Sequence, residues 1–499
     1  MFCIVFCTMF LVKSHLKLHL VKKNFSNSAN LQILCDTFGL LPTQAKTYID
    51  THKLNHKDGE LLIASIESCK KIGYKNEEIL ANPGLLRTHP LELEQHYLSL
   101  EEGGFNSLKP NILARARYYM KRQINRLKAR NIICITTDVP QNFLKYIEDK
   151  ELVEKIPLIY NSDYLGWNEV HFKILQSFLK FKLEATDDEI IKLFRTHKMI
   201  KNKSFRVIQE NIALAEDLGF ERRKILKFGY LIHNYPKYTK TVLTDFSNLA
   251  GADMRTAMRQ YPKLIMASPK NIVKIYGILK EFEIDDDIIK QQMNVFCMSP
   301  ETVRLRLEEI NRILDLRVLL KHPRILSLVV HHNRARSRLS FLQQLQIKCA
   351  SLAILRSDSK ECFDEYVREG KDINKPSDVI YTLKNMFSMD INDVKKKIAA
   401  HPYYLQVPIK DMQDAYDYLI ARHFKKENIF KVLHIILYPV DKIEISLGEL
   451  QTSKEFKFES LSQVKKLRLV LYLIEKEHHF TGNGIWRKCN TDMSDKTLE

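Results

Sequence analysis

Tyr261-Pro262-Lys263-Leu264-Ile265-Met266-Ala267-Ser268-Pro269 begins a line of sequence that returns in varied form along much of this 499-residue chain. His401-Pro402 with Pro408, Tyr235-Pro236, His322-Pro323, Tyr438-Pro439, Ile156-Pro157, and Asn82-Pro83 with Pro90 read as further copies. Residues 261–284 align without gaps with 82–105, and 197–220 and 292–310 fit the same frame, with Lys198 and Met293 in the place of the first proline. First-proline positions therefore run 83, 157, 198, 236, 262, 293, 323, 402 and 439. The two double-width gaps, 83–157 and 323–402, are expected to hide degenerate copies near Tyr119 and Glu369, for about ten units in all. A period of roughly thirty to forty residues marks a solenoid, whose units bury their apolar faces only against their neighbours.

Each copy has a physical reading. A helix such as 253–260 must stop before Tyr261-Pro262, because proline pushes its predecessor out of the α region. Leu264-Ile265 and Val295-Phe296 then suit a single 3₁₀ turn that plugs the core. Ser268-Pro269 and Ser299-Pro300 supply an N-cap and a first-turn proline for the next helix. Along that helix Ile272, Ile275, Tyr276 and Leu279 fall on one stripe, as do Val303, Leu307, Ile310 and Leu314. Leu218-Gly219-Phe220 reads as a helix stop, and Asp285-Asp286-Asp287 as a helix N-terminus favoured by the dipole. The expected fold is all-α, an α-solenoid of helix-turn-helix repeats. Ser357 to Lys375 is polar and poorly periodic, so the array is expected to bend or loosen over 358–376.

Composition bounds the function. Hydrophobic residues make up 45% of the chain, and 78 Lys and Arg against 60 Asp and Glu give a net charge of +18. Such a balance favours polyanionic partners, chiefly nucleic acid or an anionic membrane. The nine cysteines are scattered, with no C-x-x-C pair and no histidine at zinc-ligand spacing, which argues against a disulfide framework and a zinc site. The first 35 residues lack acids and carry Lys13, Lys17, Lys22 and Lys23, the pattern of an organelle presequence. The lysines follow the apolar run Phe2–Val12, whereas a secretory signal carries its charge before it. The chain divides into a mitochondrial presequence at 1–35, a helical extension at 36–75, the repeat array at 76–485 and a polar tail at 486–499. No segment has the continuous apolar length of a membrane span.

Two stretches of the array contain no acid. Residues 103–137 carry Lys109, Arg115, Arg117, Lys121, Arg122, Arg126, Lys128 and Arg130; residues 316–357 carry Arg317, Lys321, Arg324, Arg334, Arg336, Arg338, Lys348 and Arg356. Solvated helices normally interleave charge signs, and like charges at i,i+4 cost about 0.2–0.5 kcal/mol per pair. Arg122, Arg126 and Arg130 share one face of a continuous helix, and Arg334 and Arg338 lack acidic helix neighbours. A bound phosphate backbone would remove that repulsion. Smaller sets recur with the units, including Arg222 to Lys224, Lys237 with Lys240, Arg255 with Arg259, and Lys263 with Lys270 and Lys274. The candidate nucleic-acid contacts are Arg115, Arg122, Arg126, Arg130, Arg259, Lys263, Arg324, Arg334, Arg336 and Arg338. Charge reversal at Arg334, Arg336 and Arg338 is expected to lower affinity and its salt dependence.

Catalytic constellations are absent from the sequence: no phosphate loop, no dinucleotide fingerprint, no nucleophile elbow. The adjacent pairs His331-His332 and His478-His479 point to different sides of a helix, and Gly482-Asn483-Gly484 is a lone turn. No cofactor or metal is expected, and the chain reads as a non-enzyme.

The Tyr/His-Pro line with its downstream amphipathic helix, repeated in phase over about 76–485 and closed by His479-Phe480-Thr481-Gly482-Asn483-Gly484-Ile485-Trp486, resembles the mitochondrial transcription termination factor family, in its long insect-type branch. The resemblance implies a left-handed superhelix with a basic concave face, acting on mitochondrial nucleic acid in the matrix or nucleoid. Termination, initiation, replication pausing and ribosome assembly all occur within the family. The reading that follows is a monomeric regulator of transcription on double-stranded mitochondrial DNA. Two alternatives stay open: binding of ribosomal RNA on the mitochondrial ribosome, and a scaffold for another termination factor, a methyltransferase or the transcription machinery.

Overall fold

The computed structural model describes residues 28–477 apart from 56, 358 and 453–457. Among them the fold is all-α, a succession of helix-turn-helix repeats, and the short pair Asn248–Leu249 and Ala252–Asp253 is the one sheet. Most of the expected presequence, the segment 478–486 and the tail lie outside the described residues, as do His478-His479 and Gly482 to Gly484.

The unit that opens on Asp253 shows why the repeat folds as it does. The Asp253 carboxylate accepts from Thr256 N at 2.7 Å and starts the helix Met254–Gln260. Tyr261 leaves the helical region (φ −123°), and the 3₁₀ turn Pro262–Met266 drives Leu264 and Ile265 into the core. Burying each such side chain contributes roughly 1.5–3 kcal/mol. Ser268 then caps Pro269–Glu281 through Asn271 N, at 3.2 Å. The next unit repeats the plan with Asp286–Gln291, Met293–Cys297 and Pro300–Arg312, so Met293, itself buried, replaces the proline without loss of the turn. Of the expected stripes, Ile272, Ile275, Leu279, Val303, Leu307 and Ile310 are buried. Tyr276 is half-buried and donates its hydroxyl proton to Asp286 (3.0 Å). Leu314 is exposed, because its helix has already ended at Arg312.

The histidine of the His-Pro copies has a definite task. The Nδ1 atoms of His89, His322 and His401 accept the amide proton two residues on, from Leu91 (3.3 Å), Arg324 (3.0 Å) and Tyr403 (3.3 Å). The imidazole thus caps the helix or turn that the proline begins.

Two copies are out of phase with the sequence reading. Tyr235-Pro236 does not open a turn. Pro236 starts the second helix, Pro236–Asp245, and the turn before it is Tyr230–His233, with Leu231 and Ile232 fully buried. Tyr438-Pro439 likewise precedes Val440–Thr452 and follows the turn Leu433–Leu437. Proline suits both places, since it stops one helix and can occupy the first turn of another. The turn position is held instead by Gly229 and Leu433. A Cβ on Gly229 would lie 2.5 Å from the His197 ring of the preceding unit, so glycine is what permits that approach.

Both hidden copies exist. The first comprises Pro110–Ala114, Ala116–Tyr119 and Ile124–Ala129, its second helix cut to six residues. The second comprises Lys360–Arg368 and Pro376–Phe387, and the turn between them is anchored rather than loose: Asn374 is buried and donates to Val407 O at 2.6 Å. The extra helices Val139–Leu144 and Leu352–Arg356 fill out the wide gaps. The extension at 36–75 also has the repeat plan, with Pro42–Thr51, a turn burying Leu54, and Gly59–Ile72. A helix at 28–38 precedes it, with Asn30 and Leu34 buried, so packed structure reaches into the segment expected to end at 35.

The chain forms two compact units, Met1–Lys240 and Thr241–Glu499. In the first, Trp167 stacks on His171 with rings 3° from parallel and 5.6 Å apart, and donates to Gly103 O at 3.2 Å. The fully buried Glu102 accepts from Phe205 N (2.8 Å), Arg206 N (3.2 Å) and Arg206 Nε (3.1 Å), tying the end of Pro90–Glu102 to the start of Phe205–Asp217. Burial pushes its carboxyl pKa upward, opposed by those donors.

Candidate nucleic-acid interface

The first acid-free run is broken into three short helices, and this changes the predicted arginine face. Arg122 lies in the turn before Ile124–Ala129, Arg126 lies inside that helix, and Arg130 is its C-cap. They do not stack as i, i+4, i+8 on one continuous helix. Arg122 is held over the Tyr118 ring at 4.1 Å. Arg117 pairs with Glu92, and Lys128 with Asp163 at 2.9 Å. Lys109, Arg115, Lys121, Arg126 and Arg130 are exposed and have no acidic partner among the described residues. Five cations close in sequence, at the caps and turns of short helices and inside one of them, therefore face solvent with no acid to compensate them among the described residues.

The second run is used differently. Arg338, expected to face outward, is only 9% exposed. Its Nη1 donates to Ile354 O and Ser357 O, both at 2.7 Å, its Nη2 donates to Ser359 O at 3.2 Å, and its guanidinium covers the Phe363 ring at 4.6 Å. Arg334 is exposed but donates to Ser357 O at 3.1 Å. Arg336 is exposed and pairs with Glu309 at 2.9 Å, and Lys321 with Glu283 at 3.4 Å. Arg317 and Arg324 are exposed and have no ion pair among the described residues.

The repeat register explains Arg338. Ser65, Asn211, Arg306 and Arg338 each stand six residues after the start of their helices, at Gly59, Phe205, Pro300 and His332. Each reaches carbonyls at the end of the short helix or turn that follows. Ser65 donates to Thr88 O (3.1 Å), and Asn211 to Ile232 O (2.9 Å) and Asn234 O (3.0 Å). Arg306 donates to Val329 O (2.7 Å) and Val330 O (3.0 Å). Carbonyls at helix ends lack intrahelical partners, so a donor from the neighbouring unit satisfies them. Arg338 is the longest version of this tie. The signal was in the sequence, as one register position, but only once the copies are laid over one another.

Arg259 is exposed on Met254–Gln260 and Lys263 on the adjoining turn. Lys263 lies near Cys297, whose thiol burial pushes up to about 11 against that positive charge. Several members of the smaller basic sets are spent on acids: Arg222 on Glu184, Lys237 on Glu94 at 2.5 Å and Lys240 on Glu210 at 2.5 Å. Such exposed pairs contribute about 0–1 kcal/mol each. Lys203 is buried, with Nζ 4.0 Å from the centre of the Tyr235 ring, and burial lowers its pKa to about 8. It is not available to a phosphate. Sequence reasoning passed over the exposed Tyr160 and Tyr164, beside the first run. The signal for them is a turn three residues longer than usual between Pro157 and Trp167.

Among the described residues no group of three or more His, Cys, Asp or Glu is placed to hold a metal ion, and no helix is long and apolar enough to cross a membrane. No protein-family model and no solved structure matches the chain. A curated relative does: the chain is 30% identical over 447 residues to Transcription termination factor 5, mitochondrial, of Drosophila melanogaster, covering 88% of this chain and 79% of that protein. With that identity over that span, the chain belongs to the mitochondrial transcription termination factor family.

Proposed function

We propose that the protein is a non-enzymatic regulator of mitochondrial transcription that acts in the matrix by gripping duplex mitochondrial DNA. The observation that carries this reading is the set of exposed, acid-free cations at Lys109, Arg115, Lys121, Arg126 and Arg130. In the second unit Arg317, Arg324 and Lys263 are likewise exposed. Cations that meet phosphates release condensed counterions, which supplies sequence-independent affinity. A few arginines bidentate to guanine edges would then fix the site. A polymerase meeting the bound protein would pause. The relative's name, a mitochondrial transcription termination factor, supports the compartment and the process.

The test is footprinting of mitochondrial DNA alongside crosslinking and sequencing of bound RNA, after tagging the endogenous protein. A discrete DNA footprint without ribosomal RNA peaks is the expected result. Enrichment on ribosomal RNA would replace this reading with a ribosomal one. Protein co-purification with no nucleic-acid signal would leave a scaffold.

A further inference from the structure

In the repeats the two residues that follow Pro-x normally plug the core, as Leu85-Leu86, Leu264-Ile265 and Ile325-Leu326 do, each at most 1% exposed. The copy that starts at Pro157 breaks this rule. Its plug positions are Ile159 and Tyr160; Ile159 is only half-buried, and Tyr160 is 79% exposed. Four residues on, Tyr164 is 72% exposed. Where the copies at Pro83, Pro262 and Pro323 bury this position, this one turns two aromatic rings into solvent, about 150–250 Å² of side chain apiece.

The end of the loop that carries them, residues 163–168, is fixed to the first basic run. Ile124 N donates to Leu165 O at 3.1 Å, Trp167 N to Arg122 O at 2.9 Å, and Asn168 N to Met120 O at 2.9 Å. The Gln123 side chain donates to Tyr164 O at 3.4 Å, and Lys128 grips both oxygens of Asp163 at 2.9 Å. Residues 163–168 thus run alongside 120–128. This places Tyr164 on the segment tied to residues 120–128, with Tyr160 four residues before it. Tyr118, also exposed, already carries the Arg122 guanidinium on its ring.

Exposed rings on a loop tied to a basic run suit a polyanion whose bases are unstacked. Phosphates meet the cations, and the base faces meet tyrosine, with little dependence on sequence. A duplex keeps its bases stacked inside and offers such rings nothing. Genomic DNA is paired unless it is displaced, whereas RNA presents unpaired bases by default. We propose that Tyr160 and Tyr164, with the exposed cations of the first basic run, form a stacking platform for single-stranded RNA. The inference shares the arginines of the proposed DNA grip, so RNA and duplex are expected to compete, but the tyrosines belong to RNA alone.

The experiment measures binding of the full chain to a fluorescent single-stranded RNA of about 12 nucleotides, to the DNA strand of the same sequence and to a DNA duplex. Y160A/Y164A is expected to weaken RNA binding about 30-fold and to leave duplex binding unchanged, while Y160F/Y164F retains RNA binding because the rings remain. Far-UV circular dichroism checks that the loop variants fold. RNA affinity unchanged in Y160A/Y164A overturns the proposal, as does a DNA strand bound more tightly than RNA. A dimeric wild-type protein that Y160A/Y164A turns monomeric would assign the surface to a second copy and also overturn it. Loss of duplex binding by the wild type would sink the proposed function and leave the RNA comparison standing.

Discussion

Residues 103–137 and 316–357 each carry eight Lys and Arg and no acid, yet the two regions use their cations in different ways. In the first, five of the eight are exposed with no acidic partner among the described residues. In the second, Arg338 is buried against three carbonyls, Arg334 reaches one of the same carbonyls, and Arg336 and Lys321 meet acids that lie outside the run. An acid-free stretch therefore does not by itself mark an interface. What decides is the register of each cation in the repeat. Six residues into the second helix, a donor faces the next unit's carbonyls and holds the array together.

The largest effect should come from attacking this contrast at Arg338. Arg338→Leu strips the donor from the buried Ile354 carbonyl and from Ser359 O and leaves Ser357 O only Arg334, so about 3 kcal/mol of stability should be lost. Arg126→Ala, an exposed change, should stay within about 0.5 kcal/mol. Urea unfolding followed by circular dichroism reads both, and equal losses would erase the distinction between the regions.

Acid should weaken both halves, and through buried histidines rather than through the basic runs. Burial lowers His171 in the first unit and His401 in the second to about 4. A depressed histidine stabilises the fold fully above its unfolded value near 6.5, and that stability is lost as pH falls toward 4. For His171 alone this amounts to about 3 kcal/mol. The His171 Nε2 has no hydrogen-bond partner among the described residues, so His171→Phe should fold and should flatten the decline in thermal midpoint between pH 7 and pH 4.5. An unaltered decline would remove His171 from the account.

Gly229→Ala should cost about 2 kcal/mol, since the new methyl meets both the His197 ring and Leu193. A neutral outcome by thermal unfolding would mean that the turn yields more readily than its packing indicates. The smallest change is a gain: His423 closes its helix at φ +65°, and His423→Gly should stabilise by about 1 kcal/mol.

Much of the fold was legible because the signals act locally. Proline after Tyr261 stops a helix, and Ser268 and Ser299 restart one, whatever the rest of the chain does. The phase of Pro236 and Pro439 was not legible, since Tyr-Pro satisfies a turn and a helix start alike. The site was harder to read. Arg338 looks like a surface cation until the carbonyls 16–21 residues downstream are in view, and only its alignment with Asn211 and Arg306 betrays them. Arg122 to Arg130 looked like one face, but the second helix of that copy is only six residues long. Tyr160 left its usual buried position because its turn is longer than the others, a length visible in the sequence only after the period is fixed.

The central claim is that the cations of the first region grip duplex phosphates while Arg338 serves the fold. The most direct test is the salt dependence of duplex DNA binding by Arg126→Ala/Arg130→Ala and by the wild type. The logarithmic salt slope should fall in magnitude by about 1.8 in the double variant, two phosphates at roughly 0.9 each. A slope equal to that of the wild type would place the DNA elsewhere on the molecule and contradict the account.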